Sequence, residues 1–71
     1  MYRIHDVIKM FKNIGFSIKQ QKGSHITMTK SGMQRPLILV KHSQSTIVSN
    51  VMLKKYCKQC NIDINDVLNK R

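Results

Sequence analysis

Lys22-Gly23-Ser24-His25 brings together the residue types that could do chemistry on a phosphate. An imidazole titrates near neutrality. His25 can therefore take a proton from an attacking hydroxyl or give one to a leaving oxygen, a contribution of about 10² to 10⁴ in rate. Lys22 can hold a phosphate as a point charge, Gly23 lets the backbone come close, and the Gly23 and Ser24 amides can donate to phosphate oxygens. The Ser24 hydroxyl can equally serve only the turn. Strand parity sets His25 on the opposite face from Ile26 and Met28, away from a core, which disfavours a buried packing role. The plainer alternative is an exposed histidine that binds without reacting.

Metal chemistry is tested by subtraction. The acidic side chains are Asp6, Asp63 and Asp66, and the sequence has no glutamate. A two-metal nuclease needs a cluster of carboxylates, yet Asp63 and Asp66 have the spacing of helix caps and Asp6 falls in the first turn of a helix. No magnesium cage is expected. If the chain breaks a phosphodiester, a metal-independent route is favoured, and the simplest uses the substrate's own 2′-hydroxyl as nucleophile. That points to RNA rather than DNA and to 2′,3′-cyclic phosphate and 5′-hydroxyl ends, unless water or a protein group is the nucleophile instead. Lys19 and Lys41 then join Lys22, Gly23 and Ser24 as the expected RNA-binding residues.

Three other groups invite chemistry. Cys57-Lys-Gln-Cys60 has zinc or redox spacing, but a zinc site needs two more ligands and both sulfurs fall on an apolar stripe, so core packing is the expectation. His42 could be a second proton-transfer group or a strand-end cap, and His5 faces solvent on a helix. Lys54, Lys55 and Lys58 could track a phosphate backbone or be merely solvated.

The whole composition leans toward an anionic partner. Thirteen Lys and Arg against three Asp leave a net charge of +10 over 71 residues, so most basic side chains lack an internal partner. Such a footprint favours phosphate binding through counterion release. A chain this short buries only about 60% of the surface its unfolded form exposes, which limits it to one small domain, 1–71, with its chemistry on the surface. Its apolar runs are far too short for a membrane span and none follows the N-terminus as in a signal peptide. A cytoplasmic protein is expected, with its two cysteines reduced.

Elements must hold these residues in place. Ile4, Val7, Ile8, Phe11 and Ile14 recur at helical spacing, with Lys9, Lys12 and Asn13 outward, and Gly15 suits a left-handed helix end. Phe16 and Ile18 begin a half-buried strand, the turn is placed at 21–24, and His25 to Thr29 forms a second strand antiparallel to the first. Leu37 to Val40 is a third strand, confined by Pro36 to a sheet edge or a strand's first residue, and closed by Lys41 and His42. Apolar side chains on both faces of that run suggest that one side of the sheet is covered by another chain, a partner protein or a second copy. From about Ser49, Met52, Leu53, Tyr56, Cys57 and Cys60 mark a second helix. Asp63 and Asp66, with Ile62 and Val67 as staple, start a short third helix near Ile64. The expected class is α+β, a three-stranded antiparallel sheet with helices packed on one face.

Asn13-Ile14-Gly15-Phe16 followed by Gln20-Gln21-Lys22-Gly23-Ser24-His25 resembles the opening of the HicA toxin family, the small ribonucleases of HicAB toxin-antitoxin systems. The resemblance continues through Arg35, Lys41-His42, the segment 53–59 and the closing segment 62–68. It implies a fold like the double-stranded RNA-binding domain, α-β-β-β-α, and ribosome-independent mRNA cleavage with His25 as catalytic residue. It also implies a HicB antitoxin partner that covers this histidine. Val40 departs from the family's usual proline, and Val51-Met52 from a common Gly-Thr. The resulting expectation is a toxin that cleaves mRNA with His25 as general acid or base, without metal or other cofactor. Its rivals are a non-catalytic RNA-binding module of the same fold and a domain whose basic face serves only an acidic protein.

Overall fold

The computed structural model describes residues 1–69, so the last two positions of the expected 1–71 domain lie outside the described residues. In chain order the elements are β1 (Tyr2–Arg3), α1 (Ile4–Asn13), β2 (Ser17–Lys22), β3 (His25–Thr29), β4 (Leu37–Val40), β5 (Ile47–Val48), α2 (Asn50–Gln59) and α3 (Ile64–Asn69). Strands β2, β3 and β4 form one antiparallel sheet in that order, with β4 at an edge as Pro36 required. The α-β-β-β-α layout is therefore present, with the helices on the sheet's inner face. One small ladder is added: β1 pairs β5 through Tyr2↔Val48 and Arg3↔Ile47. Two-residue strands have no period to read, so the sequence gives no sign of it. This ladder, with the Ile4 N–H donating to the Thr46 carbonyl, sets the path of the chain between β4 and α2.

Helix α1 buries Ile4, Val7, Ile8, Met10 and Phe11, a stripe that Met10 makes one residue wider than expected. Its end is a full left-handed cap. The Phe16 N–H donates to the Phe11 carbonyl, the Gly15 N–H donates to the Lys12 carbonyl, and Gly15 has φ +106°. Phe11 and Phe16 meet edge to face across that cap, with centroids 5.4 Å apart. Helix α2 repeats the device with Asn61 at φ 57° and the Ile62 N–H donating to the Cys57 carbonyl. At their N-termini, Ser49 Oγ accepts from the Met52 N–H of α2, and Asp63 Oδ1 accepts from the Asn65 N–H of α3.

The core joins Phe11, Ile26, Met28, Leu37, Leu39 and Leu53 with the other apolar positions of the helices. Two expectations need correction. Strand β2 is exposed along its whole length, so only Phe16, just before it, is buried, and Ile18 is 39% exposed. It lies at the sheet's open edge, beyond the reach of the helices. Met52 is also on the surface, because the buried side of α2 is Leu53, Tyr56 and Cys57.

Helix α2 also seals the outer edge of β4. The Val40 N–H donates to Tyr56 Oη at 3.3 Å and the Ile38 N–H donates to Gln59 Oε1 at 3.5 Å. Removing the phenol oxygen strands the Val40 N–H. Tyr56→Phe is expected to cost about 1 kcal/mol, seen as a fall in Tm of about 4–8 °C in a thermal melt.

Candidate functional site

The site residues are gathered by a two-residue hairpin. Lys22 ends β2, His25 begins β3, and only Gly23 and Ser24 lie between them. The turn is thus shorter than the expected 21–24, with Gln21 and Lys22 inside the strand. Gly23 has φ +59° while Ser24 does not enter the positive-φ region, the pattern of a type II′ turn, whose twist suits a hairpin and whose first position calls for glycine. A Cβ at Gly23 would meet nothing within 4 Å, so the backbone angle, not crowding, calls for glycine there.

The ladders then fix which side chains share a face. Lys22 pairs with His25, and His25 pairs with Val40, so the three form one row across the sheet. Gln20, Thr27 and Ile38 form the next row. Both rows lie on the face opposite the buried Ile26, Met28, Leu37 and Leu39, and His25 and Lys22 are exposed on it. Directly opposed side chains in such a ladder have Cβ atoms roughly 4.5–5.5 Å apart, so Lys22 and His25 can engage one phosphate together.

A β-bulge makes that pairing possible. Ile18 pairs with Met28 on the inner face, yet Lys22, four residues on, pairs with His25 on the outer face. An uninterrupted strand would put both on the same side. The register shift between Ile18 and Gln20 takes up one extra residue, Lys19, and re-aims the rest of the strand. Nothing in the polar run 19–22 announces this; the only signal is the conflict of parity between Ile18 and Lys22 once both are assigned a face.

The remaining candidates are distributed around this row. The Lys41 N–H donates to the Ser24 carbonyl at 2.7 Å, tying the end of β4 to the turn and placing Lys41 and, one residue on, the exposed His42 at the hairpin end of the sheet. Lys19 is exposed at the bulge. His5 is exposed on α1, and Lys54, Lys55 and Lys58 lie along the exposed side of α2, on other elements.

The acids stand elsewhere. Asp63 and Asp66 line a groove of about 490 Å³ with Asn13, Lys30 and Asn61, and Asp6 lies on α1. None of the residues of the His25 rows borders that groove. Among the described residues no three His, Cys, Asp or Glu side chains converge as a metal site would require.

Cys57 and Cys60 are free and buried in the core. Burial, then the neighbouring Cys60 and Asp63, push the Cys57 thiol up from 9.0 to about 11, and burial also raises Cys60. The unfolded chain therefore loses these protons first. The stabilisation is complete below pH 9.0 and is lost as pH rises through about 11. At pH 8 the native thiols are expected to alkylate with iodoacetamide at least about tenfold more slowly than in denaturant, followed by mass spectrometry.

No helix among the described residues is long and apolar enough to cross a membrane. A family model described as the HicA toxin of bacterial toxin-antitoxin matches residues 4–62, a span holding α1, the whole three-stranded sheet and α2. No curated protein and no solved structure matches the chain.

Proposed function

The chain belongs to the HicA toxin family of bacterial toxin-antitoxin systems, and from that premise we propose that it is a cytoplasmic endoribonuclease that arrests translation by cleaving mRNA. One observation carries this reading: an exposed imidazole paired across two strands with an exposed lysine, on a sheet face whose rows hold no carboxylate. A cognate HicB-like antitoxin is the partner that holds it in check.

The residues support a route in which the RNA supplies the nucleophile. The 2′-oxygen attacks the adjacent phosphorus, the bond from phosphorus to the 5′-oxygen breaks, and a 2′,3′-cyclic phosphate and a 5′-hydroxyl result. His25 takes the proton from the 2′-hydroxyl or delivers one to the departing 5′-oxygen. Lys22 binds the phosphate and offsets the charge that builds on its oxygens, and the N–H groups of Gly23 and Ser24, which a two-residue loop leaves outside the strand ladder, are donors for the same oxygens. Lys19 and Lys41 extend the positive charge along the bound strand. Single-stranded or locally unpaired RNA fits an open sheet face better than a duplex does.

Incubating mRNA with the purified protein in EDTA tests the proposal. Discrete fragments are expected. RNA that is bound yet stays intact would replace it with the non-catalytic RNA-binding module, and affinity indifferent to salt would leave only a protein partner for the basic face.

A further inference from the structure

The outer sheet face is sorted by chemistry. Lys22 and His25 lie toward β2 and the turn, whereas Ile38 and Val40, two residues apart on β4, give the other side an apolar surface. Ile38 is 41% exposed and Val40 half-buried, although the alternate residues of the same strand, Leu37 and Leu39, are fully buried. A lone exposed isoleucine would call for no explanation. Here two apolar side chains adjoin the candidate site: Val40 stands directly opposite His25, and Ile38 is its diagonal neighbour at roughly 7–8 Å.

A nucleotide is sorted in the same way, with an anionic phosphate at one end and a flat apolar base at the other. Resting on the reading of the chain as a ribonuclease, we infer that Ile38 and Val40, with Thr27 beside them, seat one unpaired nucleobase of the RNA strand whose phosphate lies at Lys22 and His25. Charge complementarity sets the polarity: the phosphate goes to the lysine side and the base to the uncharged side. The geometry also disfavours a protein strand added at this edge, because Tyr56 and Gln59 already occupy the outward N–H groups of Val40 and Ile38. What remains open is the side-chain face. Tyr2, Phe11, Phe16 and Tyr56 all lie in the core or packed against it, so Ile38 and Val40 hold the base by aliphatic contact.

The test compares a short single-stranded oligoribonucleotide with its abasic ribose-phosphate counterpart, using His25→Ala protein so that nothing is cut. Ile38→Thr keeps a β-branched residue on an exposed strand position and so leaves the fold intact. It is expected to weaken binding of the base-bearing strand about five- to tenfold and leave the abasic strand unchanged, whereas Ile38→Phe, which offers a ring, binds the base-bearing strand at least as tightly as the parent. Equal losses on both strands, or no loss on either, would overturn the inference. If Ile38→Thr leaves RNA binding untouched but loosens the antitoxin, the apolar pair serves a protein and the inference falls. If the parent protein binds no RNA at all, the ribonuclease reading falls first and takes the base seat with it.

Discussion

His25→Ala is expected to lower RNA cleavage in EDTA by about 10² to 10⁴, with RNA affinity within about threefold of the parent, because in the proposed route the imidazole moves protons while the surrounding cations hold the strand. The substitution is at an exposed strand position outside the core, so its effect on stability should stay within about 0.5 kcal/mol. A lost fold therefore does not account for lost cleavage, and a thermal melt checks the point. His25→Gln sharpens the result. Its amide can still hydrogen-bond a phosphate oxygen but cannot exchange a proton near neutrality, so it should be nearly as inactive as the alanine variant. Cleavage at parental rate in either variant would remove His25 from the chemistry.

The second large effect is on the fold. Phe11→Ala is expected to cost about 3–5 kcal/mol, read from the denaturant midpoint. A chain of this size has a total stability of roughly 4–11 kcal/mol, so the variant stands near the edge of folding. Three contributions are lost at once. Phe11 is completely buried in the core, its ring meets Phe16 edge to face, and that contact closes the left-handed cap at the end of α1. Phe16 immediately precedes β2, so this cap also fixes where the hairpin strand begins. Phe11→Leu keeps most of the apolar volume and should recover more than half of the loss. Parental stability in the alanine variant would contradict the description of the core.

The sequence shows some of these features plainly because they recur at a period or sit on residues with one dominant conformational role. Ile4, Val7, Ile8 and Phe11 on α1, the alternation of Ile26 and Met28 on β3, and Gly15 beyond α1 are of this kind, and they place His25 on the outer face without further information. Ser49 and Asp63 mark helix starts for the same reason: a short side-chain oxygen there accepts a backbone N–H. What the sequence conceals is relational. The run 19–22 is polar on both sides, so no buried stripe fixes its parity, and the bulge that turns Lys22 toward His25 emerges only from pairing with β3. Tyr56 reads as one more core ring, yet its hydroxyl holds the edge of β4, and β4 in turn holds the Ser24 turn through Lys41. Asn61 takes the left-handed conformation at the end of α2, one residue beyond the Cys57-Cys60 pair, whose spacing draws attention first although both sulfurs are buried in the core.

The account turns on a phosphodiester being broken by the strand's own 2′-hydroxyl with His25 as the proton carrier. A DNA oligonucleotide containing one ribonucleotide, incubated with the protein in EDTA and analysed by mass spectrometry, puts that to the test. Cleavage only on the 3′ side of the ribonucleotide, leaving a 2′,3′-cyclic phosphate and a 5′-hydroxyl, is the predicted result. Cleavage at deoxynucleotides, or products bearing a 3′-hydroxyl and a 5′-phosphate, would contradict it.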